Sequence, residues 1–147
     1  MKPMHPIDIL LVEDNPGDAR LAQEAFKVSG LPNTLHHVVD GVEGWKFLNR
    51  EGEYANAPRP DLVLLDLNMP RMDGRELLKL IKSSKAFRAI PVVVLTVSSD
   101  DQDIEQAYEL YANCFITKPL ALDDFTQAIR TIESFWLTLV RLPPSYL

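Results

Sequence analysis

Apolar runs of strand length alternate along the chain with longer stretches of helical apolar spacing, about five times over. Ile7 to Val12 reads as a buried strand. Asn15-Pro16 then marks a helix start, with Asn15 as cap and Pro16 preset for the first turn. Ala19, Ala22 and Phe26 give that helix an apolar stripe. Thr34 to Val39 reads as a second strand and Val42 to Asn49 as a short helix. Glu51 to Pro60, carrying Gly52, Pro58 and Pro60, reads as a loop. Asp61 to Leu67 (DLVLLDL) is the clearest buried strand, its apolar run broken internally only by Asp66. A turn with Pro70 and Asp73 leads into a helix over Gly74 to Ser83, and Pro91 to Val97 is a fourth strand. Ser99 and Gln102 form a capping box for a helix carrying Ile104, Ala107 and Tyr111. Cys114 to Thr117 is a short fifth strand, and a last helix runs from about Asp123 toward Val140. This alternation predicts an α/β fold, a parallel sheet with helices on both faces. In such sheets ligands sit at the carboxyl ends of the strands, near the point where strand order reverses.

Composition narrows the function. At 147 residues the chain suits one domain over 1–147, large enough for a real core. Hydrophobic residues at 46% and charged residues at 24% exclude a disordered or fibrous chain. A net charge of −6 argues against a nucleic-acid-binding surface, which needs clustered Lys and Arg. The stretch Lys79, Lys82, Lys85, Arg88 reads as a solvated helix face. The single Cys114 rules out an internal disulfide framework and fits a reducing cytoplasm. Its neighbours Phe115 and Ile116 suggest a buried core thiol. MKPMHPID offers no apolar h-region, and no apolar run approaches the ~20 residues that span a bilayer. The expectation is a cytoplasmic protein without a membrane partner.

Four strand ends carry polar groups that a core does not need. The first ends in Glu13-Asp14, the third in Asp66, the fourth in Thr96 and the fifth in Lys118. A parallel sheet gathers these ends although they lie far apart in sequence. Converging carboxylates repel, and a hard divalent cation resolves the repulsion; Mg²⁺ takes oxygen ligands from one or two carboxylates plus phosphate and waters. Phosphoryl transfer to a carboxylate gives every group a use. Asp66 is then the nucleophile and Mg²⁺ neutralises charge on the moving group. Lys118 and Thr96 can address phosphoryl oxygens, and Asn68 can give a backbone carbonyl to the metal. Taken singly, each residue has a plainer explanation: a helix cap, a strand hydroxyl, a solvated lysine. Their joint occurrence does not. His36 and His37 are adjacent and point to opposite faces of a strand, so they cannot chelate one ion together. Trp45 and Phe47 read as packing residues of the short helix.

The segments LLVEDN, LLDLNMPRMDG, VVVLT and FITKP resemble the receiver domain of bacterial two-component response regulators, over about residues 7 to 134. The resemblance implies a flavodoxin-like sheet in the order 2-1-3-4-5 with five helices. It also implies a histidine kinase as phosphoryl donor. Glu13 and Asp14 become the acidic pair, Asp66 the phosphoacceptor, Asn68 the carbonyl ligand, and Thr96 and Lys118 the phosphate-sensing pair. Phe115 occupies the switch-aromatic position, where the family often has Tyr, and without a hydroxyl it could report only by rotation toward Thr96. Val97 replaces the family's usual small residue and could slow phosphoryl exchange. VEDNPGDARLAQEAF, the loop REGEYANAPRP and the apolar tail are similar to small stand-alone receivers that partner cyanobacterial phytochromes. Receivers of this kind hold the peptide after the Lys in cis, so a cis Lys118-Pro119 bond is expected, at about 0.5–1 kcal/mol before Pro.

Two other functions compete. A dehalogenase-type aspartyl-phosphate hydrolase places a second Asp two residues after its nucleophile, and here that position is Asn68. A phosphate-independent receiver used only for binding usually lacks the acidic pair, the Asp or the Lys, and this chain keeps them all. Finally, Phe125, Ile129, Ile132, Trp136 and Leu139 follow helical spacing, while Phe135, Leu137, Val140 and Leu142 carry apolar character round the other faces. Pro143-Pro144 stops that helix. The expectation is a homodimer built on residues 135–147, with Tyr108 and Tyr111 nearby; the alternative is a tail folded back over its own domain.

Overall fold

The computed structural model describes residues 6–28, 32–67, 69, 71–96, 114–117 and 122–132, a few of these through their backbone alone. The strands are β1 (Ile7–Val12), β2 (Asn33–Val38), β3 (Leu62–Asp66), β4 (Val92–Thr96) and β5 (Cys114–Thr117). The described helices are α1 (Pro16–Lys27), α2 (Gly41–Leu48), α3 (Gly74–Ser83) and α4 (Leu122–Ile132), with a 3-10 turn at Gly52–Tyr54. All strand pairs are parallel, in the order β2-β1-β3-β4-β5. This is the expected flavodoxin-like arrangement. The expected helix after Ser99, and the continuation of the last helix beyond Ile132, lie outside the described residues.

Side chains alternate across the sheet, so one run of apolar residues builds two cores. Leu10, Val12, Val63 and Leu65 face α2 and α3, packing with Phe47, Leu77, Leu78 and Ile81. Ile9, Leu11, Leu62 and Leu64 face the other way, onto Ala19, Ala22, Ala25 and Phe26 of α1 and Ile129 of α4. Phe47 and the α1 stripe are thus buried as their spacing predicted, and Trp45 meets Phe87 edge-on at 5.7 Å.

Polar side chains fix where the helices start, in α2 one residue earlier than the spacing predicts. Asp40 caps α2 by accepting a hydrogen bond from the Glu43 amide at 2.9 Å, so the helix starts at Gly41. Asp73 caps α3 in the same way through Glu76 at 3.1 Å, and Asn15 caps α1 through Asp18 at 3.0 Å. Pro91 has no N–H to give the ladder, and β4 begins after it, at Val92.

One expectation about the basic stretch needs correcting. Lys79, Lys85 and Arg88 are exposed, but Lys82 is half-buried. Its ammonium donates to the carbonyls of Arg88 (3.1 Å) and Ile90 (2.8 Å). Lys82 thereby satisfies two carbonyls at the turn between α3 and β4. Burial draws its pKa down to about 8.

Candidate functional site

The parallel register fixes which chain positions meet at the carboxyl edge of the sheet. Val12 pairs with Leu65, Asp66 with Leu95, and Thr96 with Thr117. The residue after Val12 therefore arrives beside Asp66, and the ends of β4 and β5 lie level with it. This is the edge where β1 hands over to β3, the reversal in strand order.

Glu13, Asp14 and Asp66 converge there. One carboxylate oxygen from each lies within 4.8 Å of the others. Glu13 and Asp66 are buried, at 2% and 7% exposure, whereas Asp14 is open to solvent at the mouth. The Glu13 segment is firmly held. Its amide donates to the Val38 carbonyl (3.0 Å), and its carbonyl accepts from His37 Nε2 (2.8 Å), which sets the proton on that nitrogen. The Asn15 amide donates to Glu13 Oε2 at 3.1 Å and aims the carboxylate. For two buried carboxylates this close, mutual repulsion is on the order of 3 kcal/mol at an effective dielectric of about 20. Three convergent hard oxygens fit a divalent cation, which removes that repulsion.

Asp66 also sits at a crowded bend. The chain leaves β3 and returns at Gly74, whose amide donates to the Leu67 carbonyl at 2.9 Å. A Cβ on Gly74 would lie 2.7 Å from the Leu67 Cα and would press on the Asp66 carbonyl. Gly41 is similar, since its Cβ would lie 2.8 Å from Met72 Cγ. Both glycines let the turn after Asp66 dock against the first turns of α2 and α3.

Of the other residues expected at the site, Thr96 ends β4 and Phe115 pairs with Val94 in β5. Their side chains lie outside the described residues, as do Asn68, Val97, Lys118 and the Lys118-Pro119 peptide. A group that sequence reasoning missed stands beside the turn. Arg71 Nε donates to Asp40 Oδ2 at 2.6 Å and Nη2 to Glu43 Oε2 at 3.1 Å. Tyr54 donates its hydroxyl to Glu43 Oε1 at 2.8 Å. Burial alone would raise the Asp40 pKa, but the Arg71 fork and the amides of Glu43 and Val42 outweigh it and hold the carboxyl below its ordinary value. Glu43 is held low by its hydrogen bonds from Tyr54 and Arg71. The spacing of Asp40 and Glu43 matches an N-cap and a first-turn acid, a signal that was available; nothing in sequence marks Arg71 as their partner.

An open parallel sheet in this order, with a carboxylate cluster at its carboxyl edge, defines the class of flavodoxin-like α/β proteins. The response regulator receiver domain model matches residues 9–130, and the chain belongs to that family, whose members are the phosphoacceptors of two-component signal transduction. Response regulator Rcp1 of Synechocystis sp. is 49% identical over 138 residues, covering 94% of each chain. Among solved structures, the phosphorylated cyanobacterial phytochrome response regulator RcpA superposes with a TM-score of 0.89 at 50% identity, covering 95% of this chain and 99% of that one. The Mn²⁺-bound form of Rcp1 gives 0.86 at 48% identity, covering 94% and 99%. The likeness to receivers, and to those of the phytochrome group, was already legible in the motifs.

Proposed function

We propose that Asp66 is the phosphoacceptor of this receiver and that Glu13, Asp14 and Asp66 hold the divalent cation, Mg²⁺, that the transfer requires. The observation carrying this is the convergence of one oxygen from each of the three carboxylates within 4.8 Å, with Asp66 at the strand end. In the reaction an Asp66 carboxylate oxygen forms a bond to phosphorus. The bond from phosphorus to the donor's imidazole nitrogen breaks, and its electron pair returns to the imidazole. The cation supplies charge neutralisation for the phosphoryl oxygens. Asn68 offers its backbone carbonyl as a further ligand, and Thr96 and Lys118 contact the phosphoryl oxygens. Phe115 serves as the switch aromatic.

The chain's chemistry is its own phosphorylation and dephosphorylation, not turnover of an external substrate. The donor is a histidine kinase, and the likeness to RcpA and Rcp1 supports a phytochrome-type light sensor. The reading further includes a cytoplasmic protein, in keeping with the absence among the described residues of a helix long and apolar enough to cross a membrane. Residues 1–147 form one receiver domain in which 135–147 make the contact of a homodimer. Acetyl phosphate with Mg²⁺, followed on a phosphate-affinity gel, tests the acceptor role. The wild type shifts only with Mg²⁺, and Asp14→Ala loses that Mg²⁺-dependent shift. A wild-type chain that never shifts would instead be a phosphate-independent binding module.

A further inference from the structure

The turn 67–73 leaves Asp66 and carries residue 68, the expected carbonyl ligand. Its two ends are pinned by the Gly74 amide on the Leu67 carbonyl (2.9 Å) and the Gly41 amide on the Met72 carbonyl (3.0 Å). Between these pins sits Arg71 with φ of +62°, a left-handed backbone that residues with a Cβ rarely adopt. Something must hold it there. Its guanidinium does so by forking across Asp40 and Glu43 in the first turn of α2. Asp40 is 3% exposed and is itself fixed by capping α2. Glu43 is held from its other oxygen by Tyr54 in the 3-10 turn. Asp40 and Glu43 are not members of the Glu13, Asp14, Asp66 cluster, so this latch stands outside the cation site while gripping the turn that borders it.

We infer that Arg71 is a positioning residue for the cation site: its fork locks the turn after Asp66 and thereby sets cation affinity without touching the cation. This rests on the proposal that the three carboxylates bind a divalent cation. Without the fork the turn exchanges among conformations, and apparent affinity falls in proportion to the competent fraction. A turn competent about a tenth of the time weakens binding about tenfold. Lysine cannot replace the fork, because an ammonium is a point charge and does not span two carboxylates in fixed geometry. The sign of the effect is diagnostic. If Arg71 acted only through its charge, removing a cation near an acidic site would tighten metal binding. Positioning requires the opposite.

Mn²⁺ binding, read from the electron paramagnetic resonance signal of the free aqua ion, tests this on the full chain well below each variant's metal-free melting temperature. Wild type and Asp14→Ala are the controls: binding by the first and its loss in the second support the cation site itself, and failure of the wild type to bind would reject that site. Arg71→Ala removes the fork, Arg71→Asn removes it while tolerating the left-handed backbone, and Arg71→Lys keeps the charge. About tenfold weaker Mn²⁺ binding in the Ala and Asn variants, with at most partial recovery in the Lys variant, is expected. Wild-type or tighter binding in Arg71→Asn, or full affinity in Arg71→Lys, overturns the inference even though the cation site stands.

Discussion

Glu13 and Asp66 are carboxylates withdrawn from water beside one another, an arrangement that folding alone would not favour. That is why they stood out in the sequence: Asp66 interrupts the apolar run of its strand, and Glu13 follows the buried run of another. Asp40 and Arg71 gave no sign of their pairing. They lie 31 residues apart and meet only because α2 and the turn after β3 pack together. Local spacing carries no information about a pair of that kind. The hydrogen bond from His37 to the Glu13 carbonyl depends on the β1–β2 register and was equally hidden. The Asp40 pair has a measurable consequence. Its folded pKa lies below the ordinary value of 3.8, so the unfolded chain takes up this proton first as pH falls. The stabilisation is complete above about pH 4 and is lost as pH drops through the lower folded pKa. Asparagine still caps the helix but does not titrate. In urea melts from about pH 5 downward, Asp40→Asn should lose less stability than the wild type; equal losses would remove Asp40 from the acid response.

At the scale of elements, β1 and α3 fall where the hydrophobic pattern put them, because long buried runs and a clear cap leave few alternatives. α2 starts a residue early because Asp40 spends its side chain on the Glu43 amide, and β2 lies a residue early at both ends, over Asn33–Val38. Lys82 was misjudged because surface charge is the usual fate of a lysine on a polar helix face, and the carbonyls it serves belong to a turn several residues on. The tight bend at Gly74 makes the sharpest prediction here. A methyl group at that position meets backbone, which cannot move aside as a side chain can. Gly74→Ala should destabilise the fold by about 1–3 kcal/mol, read by urea denaturation. Phe26→Ala, by contrast, empties space in the core away from the carboxylates. It should cost about 3–5 kcal/mol while the folded fraction keeps its rate of phosphorylation by acetyl phosphate.

For the whole molecule, the sheet order brings distant strand ends to one edge, with a packed core on each face of the sheet. Ile129 of the C-terminal apolar stripe is buried against α1, in keeping with the predicted face of that helix. The apolar continuation beyond Ile132 lies outside the described residues and is the basis of the proposed homodimer. Light scattering at tens of micromolar should give a dimer mass that falls to a monomer on deletion of residues 135–147. A monomer mass unchanged by the deletion would favour a tail folded over its own domain. The central claim, that Asp66 receives the phosphoryl group, is tested most directly by mapping the site of modification. The chain is incubated with a phosphorylated histidine kinase and Mg²⁺, and its peptides are sequenced by mass spectrometry. The account predicts one phosphoryl increment, located on Asp66, dependent on Mg²⁺ and absent from Asp66→Ala. Label on another residue, or labelling of Asp66→Ala at the wild-type rate, would contradict it.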